Sequence, residues 1–322
     1  GYLVSCYYAP TSRYGNPQDD MYLTDFLHQH DIGVYDDKVY AHFPKDEAGL
    51  CEFDGTHLFS YDADFEREHR KWGTNTFNYA RGEVRSFLVS NSVFWFEKYH
   101  KDGSRMDAVA SMLYRDFERG DEEKRKIWEK YWTNHNDEAA RFIQYYNCVV
   151  HKEFPGILTS AENSSQWPGV TRSVDWDGLG FDRQWAMGLM HDILEYFQLD
   201  PLYRKYHQDK LTFYWSYALF EKHIIAVPSH DEVIHLKRAL KEKMPGDEWQ
   251  KSANLRLFFG MQFFTPGNKL AFMGAEFGVY KEWNPDESLD WGLLDYPLHK
   301  GVQNLVRALN RLYRNEPALH QL

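Results

Sequence analysis

Four short segments of this 322-residue chain end an apolar run with groups able to do acid–base or electrostatic chemistry. Ile32-Gly33-Val34-Tyr35 runs into Asp37, Val39 and His42. The segment opened by Asp102-Gly103 gives Arg105, Met106, Asp107 and Ala108. Ile157-Leu158-Thr159-Ser160 gives Ala161 and Glu162, and Ile224-Ile225-Ala226-Val227 leads to Ser229, His230, Asp231 and Glu232. If the apolar runs are parallel strands, these groups project from strand C-terminal ends, where such folds carry their function. Two carboxyl groups can then flank one glycosidic bond. In the retaining version they stand about 5–5.5 Å apart, one attacking the sugar and the other protonating the leaving oxygen. Asp107 fits the nucleophile. Arg105, two residues earlier, points to the same side of a strand and is expected to hold it ionised. Glu162 fits the acid/base, which requires a pKa raised by nearby negative charge and partial burial. His42 and His230 suit hydrogen bonds to sugar hydroxyls, and Asp231 suits a grip on ring hydroxyls.

Plainer readings stand beside these. Asp107 next to Arg105 is also the pattern of a buried ion pair, and Glu162 before Asn163 and Ser164 that of a loop start. His230-Asp231-Glu232 hints at a metal, but His235 comes five residues after His230, which is not helical ligand spacing. No GxSxG elbow and no phosphate-binding loop occurs, which removes serine hydrolases and nucleotide enzymes.

Helices must separate the strands to place these groups. Asn16-Pro17 opens one with a cap and a proline at its first turn, and Leu23, Phe26 and Leu27 form its expected buried stripe. Val84, Phe87, Leu88, Phe94 and Trp95 share a helical face, as do Ala139, Phe142, Ile143, Tyr146 and Val150. Further helices are expected around Met190 to Tyr196, Leu255 to Phe263 and Val302 to Leu312, and further strands near Gly180 to Asp182 and Lys269 to Met273. The alternation implies a parallel sheet with helical crossovers, with six strands counted against the eight of a closed barrel.

Composition narrows the ligand. A net charge of −11 argues against nucleic acid, and no run of 18 apolar residues exists to span a membrane. Cys6, Cys51 and Cys148 are odd in number and far apart, which fits a reducing cytoplasm better than a disulfide framework. Aromatic residues make up 17% of the chain, most of them core, with some available as stacking platforms for sugar rings.

Taken together, Asp37-x-Val39-x-x-His42, Gly103-x-Arg105-x-Asp107-Ala108-Val109, Ala161-Glu162 and Ser229-His230-Asp231-Glu232-Val233 resemble the four signature regions of the α-amylase superfamily, in the right order. The runs Tyr8 to Gly15, Asp107 to Tyr114, Met244 to Gln250 and Phe272 to Trp291 resemble bacterial glycogen branching enzymes within it, so that the resemblance covers nearly the whole chain. It implies a (β/α)8 TIM-type barrel and a cytoplasmic retaining transglycosylase of glycogen synthesis that cuts an α-1,4 linkage and transfers the cut chain to a 6-hydroxyl. By position it assigns Asp107 as nucleophile, Glu162 as general acid/base and Asp231 as third carboxylate. It places Tyr8, Asp37, His42, Arg105 and His230 along the first subsite. It implies no metal or organic cofactor, a glucan partner and a monomer. It also makes residues 1–322 a barrel lacking strands one and two, with a carbohydrate-binding module expected before it and a β-sandwich after it. An amylase-type hydrolase and a non-catalytic glucan-binding derivative are the rival expectations.

The chain departs from that family at particular places. Tyr35 and Asp36 stand where it has apolar residues, Lys38 where it has Trp, Tyr40-Ala41 where it has Pro-Gly, and Ser104 where a strand residue should be apolar. Asp36 is expected in the helix–sheet layer, where an unpaired charge is costly. Asn163 replaces a second Glu and Leu236 a Gly. Trp132-Thr133-Asn134-His135 stands where the family carries a Gly-Gly-Arg-Glu loop near the acceptor side.

Overall fold

A computed structural model describes residues 2–212, 223–226, 229–234 and 236–321. Val227 of the fourth apolar run and His235 lie outside the described residues. The chain divides into two compact units, Gly1–Gln184 and Trp185–Leu322.

In the first unit three parallel strands lie side by side in the order β1 (Tyr35–Lys38), β5 (Gly103–Met106) and β6 (Leu158–Asn163). Each follows a helix: α1 (Pro17–His28), α3 (Gly82–Tyr99) and α6 (Asp137–Glu153). The strands sit within a few residues of their expected places. Register decides the face each residue shows. Asp37 pairs with Arg105, and Arg105 with Ser160. Side chains alternate along a strand. Asp107, two residues past Arg105, and Glu162, two past Ser160, therefore share the face of Asp37 and Arg105. Close pairing at the start of β5 requires Gly103, because a Cβ there would lie 2.5 Å from Leu158 O and 2.7 Å from the Tyr35 ring.

The opposite face meets the helices. The family departures gather there as one polar network. Buried Lys38 donates to the Asp36 carboxylate and lies 3.5 Å from Asn91 Oδ1. Tyr40 OH donates to Asn91 Oδ1 at 2.6 Å and bonds Ser92 Oγ at 2.7 Å, while Ser104 Oγ and Tyr146 OH stand 2.8 Å apart. Asp36 is therefore paired. Burial lowers the Lys38 pKa and the neighbouring Asp36 raises it back in part. Around the network lies an aromatic core of Phe43, Phe77, Tyr79, Phe142 and Tyr146.

Between β1 and α3 the chain makes a feature not anticipated from the sequence. The strands β2 (His42–Pro44), β3 (Glu68–His69) and β4 (Thr74–Thr76) form a small antiparallel sheet, with the short helix α2 (Asp64–Arg67) beside β3. After β5 come α4 (Val109–Leu113) and α5 (Asp121–Tyr131), also unforeseen.

The helix α1 begins as expected, with Asn16 and Asp19 in a reciprocal capping box. Its expected buried stripe is corrected: Leu23 is 52% and Phe26 44% exposed, and Thr24 is the one buried residue of the helix. Periodicity revealed an apolar face but not whether anything covers it.

In the second unit β8 (His223–Ala226) and β9 (Asn268–Leu270) pair in parallel. β7 (Arg183–Ala186) spans the division between the units, so the strand expected near Gly180 starts at Arg183. The helices α7 (Met187–Gln198), Glu248–Phe264 and Pro297–Asn315 surround a core of Ile193, Phe197, Leu255, Phe258, Val302 and Val306. The fold is thus α/β with parallel strands joined through helices.

Candidate active site

The shared face of β1, β5 and β6 carries one guanidinium among three carboxylates. Arg105 is buried. Its Nη1 lies 2.7 Å from both Asp37 oxygens and 3.0 Å from Asp107 Oδ1, and its Nη2 lies 2.8 Å from Glu162 Oε2. Asp107 N continues the ladder by donating to Lys38 O at 2.9 Å, which fixes the carboxylate at the end of β5. The next residue, Ala108, is left-handed at φ 48°. That conformation costs a non-glycine residue roughly 1–2 kcal/mol. Ala108 N donates to Glu162 Oε2 at 2.9 Å. A strained residue directly after a candidate nucleophile is where functional strain collects.

The electrostatics differ from the sequence-based expectation. Asp107 was expected to stay ionised through Arg105. Instead its pKa is raised well above the ordinary 3.8, by burial first, then by Glu162 and Asp37, with Arg105 opposing. Three acids share one base and Asp107 itself is buried, so the surplus negative charge favours retaining a proton there. Arg105 itself stays protonated: burial pulls its pKa down, but Glu162, Asp37 and Asp107 push it up by more.

Tyrosines close the cluster, though not the one expected. Tyr2 OH donates to Asp37 Oδ2 at 3.0 Å, and its ring lies 5.4 Å from the Arg105 guanidinium carbon. Tyr7 is buried, donates to Val39 O and His42 O at 3.1 Å each, and feels the charge of Asp107. Tyr8 was placed at the first subsite by resemblance. Its hydroxyl is committed to Phe87 O on α3 at 2.8 Å, and its ring packs on Phe87 and Phe94. Tyr2 sits in irregular chain with no periodicity to mark it, so no sequence signal pointed to it.

His42 is buried at the start of β2, 5.1 Å from the Trp72 ring centroid. Burial and the neighbouring His69 lower its pKa to about 4, so it is neutral at pH 7 and able to donate from one nitrogen and accept at the other. His230 and Asp231 belong to the second unit. They form the short turn His230–Glu232 after β8, with His230 Nε2 3.4 Å from Asp231 Oδ1. The His230 ring faces Phe272 at 6.3 Å, and Phe272 meets Trp283 edge-on at 5.9 Å. Phe272 and Trp283 line a small pocket of about 70 Å³ within this unit, together with Val233, Lys241 and Glu282. Among the described residues, no group of three or more His, Cys, Asp or Glu side chains is arranged to hold a metal ion.

Solved structures share the fold. A type III pullulan hydrolase from Thermococcus kodakarensis superposes with a TM-score of 0.69 at 18% identity, covering 99% of this chain and 54% of that one. An α-amylase from Lactobacillus plantarum gives 0.64 at 17% identity, covering 96% and 66%. No protein-family model matches the chain. Sequence relatives stand much nearer. The 1,4-alpha-glucan branching enzyme of Aquifex aeolicus is 52% identical over 321 residues, which is 100% of this chain and 50% of that enzyme. Those of Gloeobacter violaceus and Albidiferax ferrireducens are each 51% identical, the chain spanning 43% and 51% of their lengths. Identity at this level along the whole chain makes it a relative of the bacterial 1,4-alpha-glucan branching enzymes, of whose length it spans about half.

Proposed function

We propose that this chain carries the catalytic centre of a glucan branching enzyme. Asp107 attacks the anomeric carbon of an α-1,4-linked glucan, Glu162 protonates the departing oxygen, and the covalently held chain passes to a 6-hydroxyl activated by Glu162 as base. The observation that carries this reading is Arg105 holding Asp37, Asp107 and Glu162 together on one face of β1, β5 and β6. Two carboxyl groups with a common cationic anchor are the minimum for retaining chemistry at one bond. The 52% identity to a named branching enzyme supplies the substrate and the acceptor.

The raised pKa of Asp107 sets the order of events. The nucleophile must be ionised when the glucan is in place, so the influence of the neighbouring acids that raise the Asp107 pKa has to be relieved first. A sugar entering between the two carboxyls parts them and leaves Asp107 beside Arg105, which it shares with Asp37. The neutral imidazole of His42 is assigned to the sugar hydroxyls, as the resemblance implies. The same reading makes the strands expected from the sequence barrel strands three to eight, with strands one and two and the flanking domains supplied by a longer protein. It also makes the chain monomeric and cytoplasmic. No described helix is long and apolar enough to cross a membrane.

The test is an iodine-absorbance assay on amylose with the purified chain, run beside Asp107→Asn and followed by a reducing-end count after debranching. Branching predicts falling colour with new ends released only by debranching. Free reducing ends appearing directly mean hydrolysis and refute the transfer step.

A further inference from the structure

We infer that Trp128 and Trp132 form a stacking platform for an α-glucan chain, outside the carboxylate cluster and joined to it through the backbone that follows Asp107. The inference rests on the glucan reading above and adds a second contact for the same substrate.

Three observations lead to it. The two rings are exposed, Trp128 at 56% and Trp132 at 76%, and they lie one helical turn apart at the end of α5. Residues at i and i+4 share a helix face. Their neighbours turn inward: Ile127 is buried, and Tyr131 OH and Lys130 Nζ both bond the buried Glu66. The packed side of α5 is therefore the other one, and the tryptophans are not core.

Trp132 is also left-handed, at φ 56°, in the C-cap position of α5. Glycine or asparagine is favoured there, and a bulky ring is strained. A residue that costs stability in its backbone and returns no packing through its side chain is retained for another reason.

The segment is fixed rather than loose. Arg115 N donates to Asn134 O at 2.7 Å, Asn136 N to Leu113 O at 2.8 Å, and Asn134 Nδ2 to Asp116 Oδ1 at 3.1 Å. Tyr114 and His135 form a bridge, and their rings meet Trp167 of the loop after β6, Tyr114 edge-on and His135 tilted. Only α4 separates Tyr114 from Asp107 and Ala108. A ring bound at Trp132 is thus held in fixed relation to the nucleophile.

The surroundings choose a neutral, hydroxyl-rich ligand. Most charged side chains beside the platform are matched, Arg125 with Glu129, Lys126 with Glu122 and Lys130 with Glu66, which leaves Lys124, one turn before Trp128, as a donor for a ligand hydroxyl. Two flat faces amid hydroxyl-compatible polar groups suit the apolar faces of successive glucose units.

The measurement is retardation in native gels containing glycogen, with the Asp107→Asn chain as parent so that the ligand is not consumed. Trp128→Ala and Trp132→Ala are each expected to weaken retardation about threefold to tenfold, the range of one aromatic contact. Trp132→Gly guards against misfolding as the cause. It removes the ring and relieves the left-handed strain, so retardation should fall while the melting temperature holds or rises. Variants retarded like the parent overturn the platform and leave the glucan reading intact. A parent that is not retarded at all overturns the glucan reading and the platform with it. Loss of a dimer in light scattering on Trp132→Ala, with retardation unchanged, assigns the surface to a second copy of the chain and also overturns the platform.

Discussion

Replacing Asp107 by Asn should stop turnover and at the same time make the folded protein more stable. The effect follows from three acids on one base. Arg105, 3.0 Å from Asp107, contributes roughly 5 kcal/mol of attraction at an effective dielectric of about 20. Glu162 bonds the same guanidinium and lies close enough to Asp107 to share a hydrogen bond, which returns a repulsion of about the same size. Asp37 shares Nη1 with Asp107 and adds further repulsion. Burial adds to the cost of the charge. An amide removes these penalties, keeps an oxygen for Arg105 and gains a donor for Glu162. Allowing for relaxation, the net stabilisation is about 2 kcal/mol, or about 2–4 °C in melting temperature for a chain of this size. Its pH dependence fixes the cause. The Asp107 pKa is raised in the fold, so its contribution to stability is fully present below the ordinary 3.8 and is lost as pH rises through the folded value. The advantage of Asn should therefore vanish near pH 4 and grow towards pH 8. Differential scanning calorimetry of both proteins at the two pH values is the assay. An Asn variant less stable than the parent at pH 8, or an advantage independent of pH, refutes the electrostatic account of the site.

Other perturbations test separate parts. Glu162→Gln should depress cleavage of substrates with poor leaving groups far more than that of activated aryl or fluoride glucosides; equal loss on both counts against acid catalysis. Lys38→Met should cost about 1–3 kcal/mol by leaving the half-buried Asp36 unpaired, whereas Lys38→Met with Asp36→Leu should recover most of it in urea unfolding. Asp182 accepts from Thr159 N at 2.8 Å and pairs with His151 at 3.0 Å. Burial acts to raise its pKa, but these bonds more than offset that and lower it. Its stabilisation is present above the unfolded value and is lost as pH falls through the folded one. Asp182→Asn should flatten the loss of stability below about pH 4, by about 1 kcal/mol since the pair is partly exposed.

How far the sequence could be read depended on whether a residue's neighbours lay along the chain or across it. Asp37, Arg105, Asp107 and Glu162 could be singled out because each follows an apolar run, and strand alternation alone puts Arg105 and Asp107 on one side. The parallel register then brings Asp37 opposite Arg105. Charge state was not legible in the same way. Arg105 two residues from Asp107 suggested an ion pair, but the pKa is set by burial and by two acids on other strands. The helix α1 shows the same limit: Asn16-Pro17 marked its start and cap, yet Leu23 and Phe26 are exposed. The sheet of β2, β3 and β4 escaped notice because strands of two or three residues are too short to show a period.

The departures from the family carry the same point further. Taken singly, Asp36, Lys38, Tyr40 and Ser104 look like damage to a strand pair. In the structure they face the same layer, and each polar group has a partner: Asp36 with Lys38 along β1, Tyr40 with Asn91 and Ser92 of α3, Ser104 with Tyr146 of α6. One such substitution without the rest would strand a buried polar group at a cost of about 1–3 kcal/mol. Together they exchange an apolar layer for a bonded one behind the strands that bear Asp37 and Arg105. A satisfied buried network is less forgiving than an apolar layer, because losing one member exposes the cost of the others. Restoring the family residue at one position alone, such as Ser104→Val, should therefore destabilise the chain by leaving Tyr146 OH with only the 3.5 Å contact from Ser92 Oγ. If the valine variant melts higher than the parent, the substitutions are independent of one another and the layer is not a network.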